Sequence, residues 1–177
     1  MIKINKNLKN YFLPICLIIV LSFSRLIPHP WNFTPILAMG IFSGFYFKNF
    51  IFGSFIVICS MFVVDLYLGL HSTMFFTYIS LVIAVALGLF INKFGFKEIL
   101  FTGLTGSVCF FVITNFGSWL TLEMYEKNLT GLFQSYVLAI PFFHNTLIST
   151  LLYLFVLKLP LLGVYVMTVF LRVCVPC

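Results

Sequence analysis

Residues 25–44 read R-L-I-P-H-P-W-N-F-T-P-I-L-A-M-G-I-F-S-G, a knot of polar and cyclic residues between two long apolar runs. Pro28, Pro30 and Pro35 restrict backbone φ and remove donors, so residues 25–32 read as a stiff, irregular segment rather than mid-helix. Thr34 then reads as an N-cap and Pro35 as the first residue of a helix running toward Gly44. The segment offers a fixed cation in Arg25, a titratable ring in His29, an aromatic amphiphile in Trp31 and a two-way hydrogen-bonder in Asn32. Two readings follow. Such a set can hold a small polar ligand, and Trp, His and Arg at a helix end are also what a membrane-water interface collects.

The rest of the composition sets the class. The chain has 177 residues, 62% apolar and only 8% charged, a balance far outside that of water-soluble domains. An all-α integral membrane protein of one domain follows, with the lipid bilayer as its first partner. The formal charge of +6 comes from Lys and Arg scattered between apolar runs, which argues for membrane topology and against nucleic acid. Cys16, Cys59 and Cys109 lie inside apolar runs and read as packing residues. The terminal C-V-P-C, Cys174–Cys177, has metal or redox spacing but no second pair, and reads as a tail.

Taken in order, the apolar runs predict six transmembrane helices over residues 11–27, 31–47, 50–69, 72–91, 98–116 and 131–157, followed by an extension over 158–177. The basic start and the apolar run after it also resemble a signal peptide. The run continues past Ser24 into Leu26 and Ile27, which favours an uncleaved first span. Gly40 and Gly44 form a G-x-x-x-G step, and residues 102–107 a small, weakly polar patch, both suited to close helix packing. Residues 119–130 read as an external loop with a short interfacial helix, and Pro141 as an interruption of the last span. With the N-terminus and C-terminus cytoplasmic, Lys3, Lys6, Lys9, Lys48, Lys93, Lys97, Lys158 and Arg172 fall inside, against Arg25 and Lys127 outside. That bias sets the expected orientation in the cell (inner) membrane, and it gathers the polar motifs on the external side.

Asp65 stands in an apolar run without an adjacent base, and a charge placed there needs a partner or water. Arg25 and His29 are its candidate partners at the same depth, either as a ligand clamp or as an ion pair that holds helices together. Asn115 and Trp119 are spaced to share one helix face, as are Asn145 and Ser149. His71 lies near the same end. The candidate substrate-binding set is therefore Arg25, His29, Asn32, Asp65, His71, Asn115, Trp119 and Asn145. No ATP-binding loop, nucleophile elbow or H-E-x-x-H motif is present, so the expectation is a non-enzyme with no catalytic residues, cofactor or metal. A metal-dependent enzyme would have to use Asp65, His29 and His71, and their spacing gives no support for it.

The order S-R-L-I-P-H-P-W-N-F-T-P-I-L-A-M-G-I-F-S-G (residues 24–44) resembles the signature of a family of small bacterial integral membrane proteins that are grouped with transport proteins by description alone. Further pieces that resemble that family lie at residues 65–74, at T-N-F-G-S-W-L (114–120) and at I-P-F-F-H-N-T-L (140–147), so the resemblance reaches to about Val156. That family is in turn similar to the substrate-binding S components of energy-coupling-factor vitamin transporters. The resemblance implies a subunit that binds a small polar or vitamin-like solute and depends on a separate energising membrane subunit with ATPases. One departure stands out: S components commonly carry an alanine-rich docking face on the first span, and residues 11–27 contain neither alanine nor glycine. The alternative is a non-transporting assembly or interaction subunit whose polar loop only anchors it.

Overall fold

The computed structural model describes residues 8–174; the basic start at residues 1–7 and the last three residues of C-V-P-C lie outside the described residues. The chain is all-helical, with no strand among the described residues. The helices are α1 (Leu8–Phe23), α2 (Ile36–Phe47), α3 (Phe50–Leu68), α4 (Met74–Leu89), α5 (Phe96–Thr121) and α6 (Leu129–Cys174), with a 3-10 turn, Ser24–Leu26, after α1. Three segments, Phe50–Leu68, Phe96–Thr121 and Leu129–Leu159, are long and apolar enough to cross a membrane.

The shortest helix organises the others. Ten of the twelve residues of α2 are buried, and it packs against each of the other five helices. A helix apolar on every side must be covered on every side. At ~1.5 Å per residue α2 is only about 18 Å long, short of a bilayer core of ~30 Å. The reason it starts late is local: the expected helical residues 31–35 are taken up by the turn. Pro35 is the N-cap, not the first helical residue, and its carbonyl accepts the Met39 N–H at 2.9 Å. Thr34 is therefore not the cap.

Glycines set the central packing. A Cβ on Gly44 would sit 1.9 Å from the Val85 carbonyl oxygen, and one on Gly88 2.0 Å from that of Ile41. Gly40 meets Ala84 in the same seam, where an added Cβ would lie 2.9 Å from the Ala84 Cβ. The G-x-x-x-G step thus brings α2 against α4 of the same chain. The patch at 102–107 is also used internally: Gly103 lies under Leu151 of α6, and Gly106 faces Ile41 of α2.

The two ends of the bundle are closed by different chemistry. At one end Lys48, in the left-handed conformation (φ 49°), caps α2, and its Nζ donates to the Leu89 carbonyl at 2.9 Å and to the Ile91 carbonyl. A cation on the last carbonyl of α4, and on one just past its end, complements that helix's dipole. Asn49 then caps α3 by accepting the Phe52 N–H at 3.0 Å. Toward the other end α5 runs to Thr121, beyond the expected 116, so the connection shrinks to residues 122–128 with no helix of its own. Asn128 caps α6 there, accepting the Gly131 N–H at 2.8 Å. From Leu129 the backbone stays helical through Pro141 and Pro160 to Cys174, without the expected division at residue 158. Large apolar side chains stand exposed on successive helices, among them Ile51 on α3, Phe75 on α4, Phe101 on α5 and Phe133 on α6.

Candidate functional site

An open-mouthed cavity of about 470 Å³ lies where the 3-10 turn, the segment before α2 and the α3–α4 connection meet the middle of α5 and α6. It is of the size that small-molecule sites adopt. Arg25, His29, Asn32, His71 and Asn115 all line it. These five come from four chain segments and meet at the one cavity.

Arg25 is positioned by the 3-10 turn that ends α1, and its Nη1 donates to Asp65 Oδ1 at 2.6 Å. The Asp65 side chain is buried, whereas that of Arg25 keeps 16% exposure. The other carboxylate oxygen of Asp65 accepts the Tyr78 hydroxyl at 2.8 Å. A buried carboxylate held on both oxygens is satisfied, and it fixes the guanidinium at the cavity wall instead of lining the cavity itself. The remaining guanidinium nitrogens of Arg25 have no protein partner among the described residues. Gly69, at φ 102°, ends α3 four residues after Asp65 and turns the chain toward His71.

The segment before α2 makes a tight turn in which the Phe33 N–H donates to the Pro30 carbonyl at 3.0 Å and Asn32 takes φ 60°. Asn tolerates that conformation better than most residues, so Asn32 serves the turn as well as the cavity. His29 Nδ1 lies 2.9 Å from the Ile27 carbonyl. A carbonyl only accepts, so Nδ1 carries the proton and a neutral His29 presents Nε2 as an acceptor. His71 Nδ1 pairs with Thr73 Oγ1 at 2.9 Å. Among the described residues no three His, Cys, Asp or Glu side chains gather as a metal set, and Asp65, His29 and His71 each have the separate partners just given.

Trp119 and Asn145, like Asp65, do not line the cavity. The Trp119 indole donates to the Glu126 carbonyl at 2.9 Å and pins the α5–α6 connection. Asn145 Nδ2 donates to the Trp31 carbonyl at 2.9 Å, tying the turn to α6 across 114 residues of sequence. Asn115 donates to the Phe111 carbonyl of its own helix at 2.7 Å. Thr114 with Ser118 and Thr146 with Thr150 line the cavity as pairs, one residue away from the expected Asn115–Trp119 and Asn145–Ser149 pairs, of which only Asn115 lines it. On a helix one residue is a rotation of about 100°, which the spacing of apolar residues around it did not resolve. Tyr78 was also missed. Its signal is a hydroxyl inside an apolar helix, which needs a partner when buried.

No curated protein and no solved structure matches the chain. A family model covers nearly all of it, residues 5–169. The chain belongs to that family, the family of unknown function DUF6580.

Proposed function

We propose that the protein is a six-span protein of the bacterial cell membrane with cytoplasmic termini. In this reading its externally open cavity binds a small polar or vitamin-like solute, in the manner of a transport S component. The observation that carries the reading is the cavity with Arg25 fixed at its wall by the buried Asp65. An interfacial anchor needs no enclosed space. The membrane reading draws on the three long apolar helices and on apolar side chains exposed on four helices, more than a water-facing surface tolerates. The shorter α2 is enclosed by its neighbours, so it need not match the bilayer. Orientation draws on the eight basic residues expected inside against two outside.

The chain carries no ATP-binding loop, so coupled uptake would require a separate energising membrane subunit with ATPases. That subunit would dock on a surface other than Gly40–Gly44 or residues 102–107, because both already pack within the chain. The test is purification in mild detergent followed by native mass spectrometry. A retained small solute at one per chain is expected, and a co-purifying membrane subunit with ATPases would establish the coupling. A chain that neither retains nor rebinds any solute, and that co-purifies only as part of a larger assembly, would overturn the reading.

A further inference from the structure

We infer that the cavity takes a flat, unphosphorylated heteroaromatic solute bearing N–H donors on one edge and a single carbonyl or carboxylate on another. The inference rests on reading the cavity as a solute site, and adds the chemical class. Its first support is the state of the hydroxyls. Thr114 donates to the Phe110 carbonyl at 2.7 Å, Ser118 to that of Thr114 at 3.0 Å, and Thr146 to that of Phe142 at 3.2 Å. A hydroxyl whose proton is engaged by its own helix offers its lone pairs to the cavity, so this wall accepts rather than donates. In its neutral form His29, with Nδ1 protonated toward the Ile27 carbonyl, also presents Nε2 as an acceptor. A solute bound there supplies the donors.

The second support is charge. Arg25 is the one cation lining the cavity among the described residues, and Asp65 already engages one of its nitrogens. That leaves donors for one carbonyl or carboxylate. A phosphate ester, with about −1.5 to −2 charges near neutrality, would face a single, half-compensated cation. A polyamine would meet Arg25 with no carboxylate lining the cavity to offset it.

The third support is the apolar lining. Phe110, Phe111 and Phe143 contribute aromatic surface, which a flat ring covers better than a sugar, whose hydroxyls would need paired donors along the same wall.

The test uses the full-length protein in detergent and measures equilibrium binding of hypoxanthine, cytosine and indole-3-acetate against IMP, CMP and glucose. At least one unphosphorylated ring is expected to bind with Kd below about 1 mM. IMP and CMP should bind at least about tenfold more weakly than that ring, and Thr114→Val, which keeps the side-chain shape but removes the acceptor, should weaken the ring by about tenfold. Tighter binding of a phosphate ester or of glucose overturns the class and leaves the solute site standing. So does a retained solute identified by mass as a phosphate, a sugar or a polyamine. If no probe binds and no solute is retained, the class and the site reading fail together.

Discussion

Arg25 Nη1 and Asp65 Oδ1 are 2.6 Å apart across 40 residues of sequence, and Tyr78 closes the other side of the carboxylate at 2.8 Å. Three segments, the turn after α1, the end of α3 and the start of α4, are thereby held together behind the cavity wall. Removing one member of a buried pair typically costs ~3 to 5 kcal/mol, because the other charge is left without compensation. Asp65→Asn and Arg25→Gln should each lower the melting temperature in detergent, and the double variant should lose less than the sum. Strict additivity in that cycle would show that the pair contributes nothing jointly. Tyr78→Phe should cost less, about 1.5 to 3 kcal/mol for one hydrogen bond to a charged group.

The seam between α2 and α4 makes a separate prediction. Gly44→Ala would drive a methyl into the Val85 carbonyl, and Gly88→Ala into that of Ile41. Each should destabilise by at least ~1 to 3 kcal/mol, since backbone rather than a flexible side chain must move. Gly106→Ala meets side-chain tips rather than backbone, Ile41 at 3.2 Å and Leu87 at 3.8 Å, and should be milder. Equal losses at Gly44 and Gly106 in thermal unfolding would contradict the close approach.

Asn145 is expected to act on the turn rather than on a solute. Its amide holds the Trp31 carbonyl, so Asn145→Ala should release residues 30–33 at a cost of about 1 kcal/mol. Hydrogen exchange at the Phe33 amide should rise several-fold while the helices stay protected. Unchanged exchange there would mean that the turn is held by other contacts.

The pair at the cavity wall was legible in the sequence for a physical reason: Asp65 and Arg25 stand in apolar runs without local partners, and such charges must find one another or water. The close approach at Gly40 and Gly44 was legible too, but not its partner, because small residues reveal a contact and not what fills it. The enclosed position of α2 was hidden. A uniformly apolar helix reads the same whether lipid or protein surrounds it. The i,i+4 rule placed Asn115 at the cavity and gave it Trp119 as company, yet the indole reaches forward to Glu126 across a connection whose course no spacing encodes. Thr114, Ser118 and Thr146 passed unnoticed because hydroxyls in apolar helices commonly bond to their own backbone, and here they do so while facing the cavity.

Orientation is open to direct labelling. In a background lacking the native cysteines, Asn128→Cys in the α5–α6 connection should react with an impermeant thiol reagent added to intact cells. Reaction only after permeabilisation would invert the topology.

The central claim is that the cavity holds a solute through Asn32 and Asn115, and calorimetric titration of the purified protein with the solute it retains tests this most directly. Asn32→Gly is the appropriate variant at the turn, because it removes the amide while keeping a residue at ease with φ 60°. Asn115→Ala removes a side chain whose only protein partner among the described residues is a carbonyl of its own helix. Losing one matched amide should cost ~1 to 3 kcal/mol, or about one to two decades in Kd. At least tenfold weaker binding by each variant, with melting temperatures close to that of the unaltered protein, is the predicted result; unchanged affinity in both would show that the cavity does not hold the solute and that the polar turn is an interfacial anchor.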